Sequence, residues 1–108
     1  MDYQIIIISQ NYYEINKDLS TLIIDRCTLE DSNSLTFEDE HYYFEYLIID
    51  DLTLVNNLKL ELDGKYVITN YYQETSVPNV FAIGDIVKTK RTIDEQLSII
   101  TDYIIEDE

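Results

Sequence analysis

Four consecutive isoleucines at residues 5–8 leave this chain few choices of fold. A short β-branched run ended by Ser9-Gln10-Asn11 reads as a strand, over residues 3–8, buried on both faces or close to it. The run is too short to span a bilayer, and an acid, Asp2, stands where a secretory leader carries bases. No membrane partner is expected. A single cysteine, Cys27, fits a reducing compartment, and the expected location is cytoplasmic.

Further β-prone pieces follow. Residues 11–18 are polar and Tyr-rich and read as a turn. Residues 21–24 (TLII) read as a second strand, and the acidic stretch 27–32 reads as a turn. Residues 34–37 form a third strand, 38–40 a charged hairpin tip, and 41–49 a long aromatic strand. Turns at short intervals give these pieces the look of a β-meander. Asp51 is placed to cap a short helical turn over 52–57. Asp63-Gly64 is a turn signal leading into a strand at 65–69. Residues 70–78 read as a loop, and 80–83 as a short strand closed by Gly84-Asp85.

Thr92-Ile93-Asp94-Glu95 fits a capping box, with Thr92 as N-cap and Glu95 three residues later. Leu97, Ile100, Tyr103 and Ile104 then recur at helical spacing, which predicts a helix from Ile93 to about Ile105. Glu106, Asp107 and Glu108 oppose the helix dipole and are expected to fray. The expected architecture is one α/β domain over residues 1–108, small and α+β-like. A β-meander leads into a β–loop–β segment and a C-terminal helix.

Composition removes most self-contained catalytic machinery. Two glycines cannot supply G-x-G-x-x-G, and they lie too far apart for a phosphate loop of the G-x-x-x-x-G-K kind. One cysteine and one histidine exclude an intrachain disulfide, a C-x-x-C redox pair, multi-thiolate zinc and paired-His metal sites. No catalytic residue and no metal site are assigned. The formal charge of −15, from 22 acids against 7 bases, argues against binding nucleic acid. The charge serves solubility, or else it forms a surface that mimics nucleic acid and captures a basic protein.

The stretch LKLELDGKYVITNYYQETSVPNVFAIGDIV, residues 58–87, is the informative one. It resembles the C-terminal FAD-binding segment of thioredoxin reductases and related pyridine nucleotide-disulfide oxidoreductases. The match runs through Leu58, Leu60, Leu62-Asp63-Gly64, Tyr66-Val67-Ile68-Thr69, Thr75-Ser76-Val77-Pro78 and Val80-Phe81-Ala82-Ile83-Gly84-Asp85. The resemblance is clearest over residues 58–105, including a helix after the Gly-Asp pair. It implies FAD as cofactor, with Asp85 on the ribitol chain and the Ile86 N–H near the pyrophosphate. Read from the residues themselves, Gly84 permits close approach of a ligand or neighbouring backbone. Lys88, Lys90 and Arg91 gather three of the seven bases within four residues, a cluster suited to a diphosphate.

Departures from the family pattern are large. The N-terminal G-x-G-x-x-G unit, the NADPH domain and the redox C-x-x-C are missing. Asp50-Asp51 stands where the family has Gly after a strand, and Asn79 replaces the Gly after TSVP, a mild exchange because Asn tolerates positive φ. The sequence therefore suggests a compact FAD-binding flavoprotein, for electron transfer or flavin carriage, with a homodimer enclosing the cofactor. Any redox activity would belong to the flavin, and thioredoxin reduction is not expected. The alternative is a non-catalytic acidic interaction protein that has lost flavin binding.

Other candidates are weaker. Cys27 has no local His and reads as a buried structural thiol. His41 reads as a surface or interface residue. The pairs Tyr12-Tyr13, Tyr42-Tyr43 and Tyr71-Tyr72 could each put one ring inside and one outside, or build an aromatic wall for a flavin or a dimer interface. Asp50-Asp51 matches no calcium-loop pattern.

Overall fold

The computed structural model describes residues 2–107. Its elements in chain order are β1 (Asp2–Ile8), β2 (Thr21–Ile24), β3 (Cys27–Asp31), β4 (Ser34–Phe37), β5 (Glu40–Ile49), β6 (Val55–Asn56), β7 (Leu62–Asp63), β8 (Tyr66–Val67), β9 (Val80–Ala82) and α1 (Ile93–Asp107). Short 3₁₀ turns lie at Leu52–Leu54 and Gly84–Ile86. The class is α/β, with a mixed seven-stranded sheet and one C-terminal helix.

Sheet order is β2-β1-β5-β4-β3-β6, with β9 also on β5. The ten-residue β5 is the hub of the sheet. On one side it runs parallel to β1, from Asp2↔Tyr43 to Ile8↔Ile49. On the other, residues 40–43 pair antiparallel with β4, and Leu47, Ile48 and Ile49 pair parallel with Val80, Phe81 and Ala82 of β9. Two corrections follow. Only β3-β4-β5 is a meander, because β2 joins β1 in parallel. The stretch read as a turn at 27–32 is mostly strand β3, whose Thr28 and Leu29 find partners in Thr36 and Leu35 of β4. A cross-strand partner decided its state, not local polarity.

All four isoleucines of the run are fully buried, and they alternate between two cores. Ile5 and Ile7 join Ile48, Phe81 and Ile83 against Leu97, Ile100 and Ile104 of α1. Ile6 and Ile8 join Leu35, Leu47, Ile49, Val80 and Ala82 on the opposite face. Period-two alternation puts neighbours on opposite faces, so an unbroken apolar run means cover on both sides. On the α1 face, part of that cover comes from the loop between β1 and β2, through Leu19 and the half-buried Tyr13 and Ile15.

The capping box at α1 forms as expected. Glu95 N donates to Thr92 Oγ1, and Thr92 N donates to Glu95 Oε1, each at 3.2 Å. The helix runs past Ile105 to Asp107, although no base lies in its last turn. Tyr46 OH donates to Asp107 Oδ2 at 3.1 Å, which anchors the end that the dipole argument leaves loose. Glu108 lies outside the described residues. The strand expected at 65–69 shortens to Tyr66–Val67, in a hairpin with Leu62–Asp63 through Gly64 at φ +61°. The Asp51 cap is present, with Thr53 N donating to its Oδ1 at 2.9 Å, but the helical turn it starts covers only Leu52–Leu54 before β6. Asn79 takes φ +65°, the backbone state that a Gly-to-Asn exchange tolerates.

Candidate functional site

The C-terminal ends of β1, β5 and β9 lie side by side, because their parallel registers end together at Ile8, Ile49 and Ala82. Crevices beyond the carboxyl ends of parallel strands are the usual ligand sites of such sheets. Here the crevice has a volume of about 340 Å³ and is lined by Gln10, Asn11, Tyr13, Asp50, Asp51 and Asp85, among others.

Asp50 dominates it. Its Oδ2 accepts from Ser9 Oγ at 2.6 Å, Tyr13 OH at 2.6 Å and Asn11 Nδ2 at 3.4 Å. Ser9 Oγ in turn accepts from Asn11 N at 2.8 Å. The turn after β1 is thus fastened to the end of β5 by one carboxylate. Asp51 is committed to Thr53, whose N and Oγ1 donate to it at 2.9 and 2.7 Å. Asp85 is exposed, and its carboxylate has no partner among the described residues.

Gly84 sits in the 3₁₀ turn at φ +78°, where an L side chain is strained. A Cβ there would lie 3.4 Å from Ile93 Cδ1 and 3.7 Å from Asp50 Cβ, so side chains of this chain already approach it. Gly84 N donates to Gln96 Oε1 at 3.0 Å. Gln96 is buried on α1 and also donates from Nε2 to Arg91 O at 3.0 Å. Gln73, buried with φ +69°, donates from Nε2 to Ala82 O and to Gln96 Oε1 at 3.0 and 3.2 Å.

A second cleft, about 430 Å³, lies on the other side of the Gly84-Asp85 turn and is lined by Lys88, Arg91 and Tyr66, among others. The three bases do not converge in it. Arg91 Nη1 donates to Tyr71 O at 2.7 Å and Gln73 Oε1 at 3.0 Å, and its guanidinium lies 4.5 Å from the Tyr71 ring centre. Lys90 is exposed and lines neither cleft. Ile86 is half-buried and packs with its side chain into the core.

These residues divide between the parts of a flavin dinucleotide. A free carboxylate at Asp85 can accept from polyol hydroxyls. A diphosphate needs cations or free backbone donors; the crevice presents three carboxylates, and the cations Lys88 and Arg91 lie in the adjoining cleft. The α1 N-terminus, a natural anion site, is closed by its own Glu95, with Asp94 beside it. The segment after β1 is a loop rather than a helix opened by glycines. Among the described residues, no group of three His, Cys, Asp or Glu side chains is placed to hold a metal.

Burial pushes the phenol of Tyr13 above its usual range, and the Asp50 carboxylate adds to the shift through its hydrogen bond and its charge. A folded-state pKa above the unfolded one gives stability that is complete below about pH 10 and is lost as pH rises through the folded value. Tyr13→Phe should therefore be less stable than the parent at pH 8, and the gap should narrow in strongly alkaline solution. Urea melts at both pH values check this; a gap unchanged by pH would break the assignment. Burial alone pushes the Cys27 thiol up to about 12, which makes it an inert core group.

Two features escaped the sequence reading. Gln96 occupies a core position in the helical repeat Ile93, Gln96, Ile100, and a polar residue there was the available signal. Gln73 carried none, since its burial depends on β9 and α1. The tyrosine pairs divide. Tyr12 and Tyr43 are exposed beside half-buried Tyr13 and Tyr42, whereas Tyr71 and Tyr72 both face out.

No family model matches the chain. Ferredoxin–NADP reductases from two strains of Streptococcus suis are 33% identical to it over 70 residues. That region is 65% of this chain and 21% of each relative, so the match covers about one fifth of their length. An alignment with the crystal structure of a ferredoxin-flavin thioredoxin reductase from Clostridium acetobutylicum covers 96% of this chain and 49% of that one, at 11% identity and a TM-score of 0.39. The chain is thus partly related in sequence to reductases.

Proposed function

We propose that this chain is a non-catalytic binding domain on a reductase-type scaffold, and that its ligand is a basic polypeptide rather than a dinucleotide. The observation that carries this reading is the Asp50 carboxylate at the strand ends. It takes up the donors of the turn after β1, and with Asp51 and Asp85 it makes the crevice anionic. Carboxylates lining one crevice disfavour a diphosphate and favour a cation. The chain's 22 acids greatly outnumber its 7 bases, and among the described residues the ion pairs join Arg26 to Asp25 and Glu38. Much of the negative charge is therefore left for a partner.

A second reading keeps FAD, held between two copies of the chain at Gly84, Asp85 and Ile86, with Lys88 in the adjoining cleft. The exposed, unpartnered Asp85 carboxylate favours it. One experiment separates the two. The purified protein is incubated with FAD, FMN or riboflavin, desalted, and its visible spectrum recorded. A colourless protein that forms a salt-sensitive complex with a lysine-rich peptide is expected. Retained flavin near one per chain would overturn the first reading and establish the second.

A further inference from the structure

Among the described residues the outer edge of β2 is unpaired, because β2 ends the sheet and pairs there with β1 alone. The carbonyls of Ser20 and Ile24 accept from Ile5 N and Ser9 N, so the even-numbered residues face β1. Alternation along the strand turns the N–H and C=O groups of Thr21 and Ile23 outward. Hollows flank this edge on both faces of the sheet. One, about 430 Å³, is lined by Tyr13, Ile15 and Ile23. The other, about 600 Å³, is lined by Leu22, Ile24, Phe37 and Tyr42. Tyr12, 76% exposed, borders both.

We infer that β2 is a docking edge for an extended, basic segment of a partner protein, which adds as a further strand. Resting on the protein-binding reading above, this adds a second surface for the same partner, meeting the strand-end crevice at Gln10 and Asn11, and names the partner's chemistry. An added strand sends successive side chains to opposite faces, one into each hollow, while its backbone bonds to Thr21 and Ile23. The occupant is basic on grounds of charge. Glu14 and Lys17 offset each other at the first hollow, and Asp25 and Glu38 border the second. Arg26 binds both Asp25 and Glu38 and so leaves the second rim with one net negative charge. The whole-chain charge of −15 draws in a cationic segment and repels a second copy of the chain.

The test uses the intact chain and a fluorescent octapeptide of alternating Val and Lys, followed by anisotropy. A second octapeptide carries N-methyl groups on two adjacent central residues, which blocks both of its edges and leaves its charge unchanged. The parent peptide should bind, and the methylated one about ten-fold more weakly or worse. Equal affinity would overturn the docking edge while leaving an acidic binding domain intact. Binding of neither peptide would overturn both. A dimer in sedimentation that Ile23→Pro converts to monomer, without peptide binding, would hand the edge to a second copy.

Discussion

Replacing Phe81 with alanine is expected to lower the unfolding free energy by about 3–5 kcal/mol, the range for removing a buried aromatic ring. Phe81 is fully buried on β9, with the rings of Tyr46 and Tyr103 centred 6.0 and 5.9 Å away. It lies under α1 with Ile48, Ile100 and Ile104, so the cavity would open between the helix and the middle of the sheet. Small domains have only about 5–15 kcal/mol in total, so the variant would stand close to the limit of folding. In urea, with m of about 1–3 kcal/mol/M, the midpoint should fall by more than about 1 M. Phe81→Leu, which keeps most of the volume, should fall by clearly less. A Phe81→Ala loss under about 1 kcal/mol would mean that the helix does not lie on this strand.

Gln96→Leu is the second large effect, expected at about 2–4 kcal/mol from two stranded backbone groups. Leucine is close to glutamine in size and suits the surrounding core, so packing is largely kept. What disappears is the acceptor for Gly84 N–H and the donor to Arg91 C=O. Gln73 Nε2 keeps Ala82 O, which limits the damage there. Amide exchange adds a local readout. Gly84 N–H should exchange faster in Gln96→Leu by more than the global loss of stability explains. Unchanged exchange at Gly84 would show that the amide does not hold the turn.

The parts legible in sequence were those whose cause is local. The isoleucine run fixes a doubly covered strand, and Thr92 with Glu95 fixes the helix start. Asn79 and Gly64 mark positive-φ turns at their positions. The parallel pairing of β1 with both β2 and β5 was not legible, because nothing near residues 3–8 names a partner about sixteen or about forty residues away. Strand β3 was hidden by its acids, which sit at its exposed end. In the candidate site, the Gly84-Asp85 turn was readable from its motif. The separation of Lys90 from Lys88 and Arg91, which line one cleft, was not, since neighbours in sequence can face different ways once the chain turns. Asp50 was visible as a departure from a glycine, but its three donors come from the far side of the β1–β5 pairing.

The position of β5 also bears on how the chain reaches this state. Its neighbours β1 and β9 come from opposite ends of the sequence, and only β4 is close by. The β3-β4-β5 hairpins can form early, but the hub gains its other neighbours only after two long loops have closed. Such closures cost entropy before any contact repays it, so assembly is expected to be slower than that of folds built from local contacts. Until then, the apolar residues 47–49 and the isoleucine run face water with their strand edges bare. The interval before closure is when this chain is most exposed to aggregation.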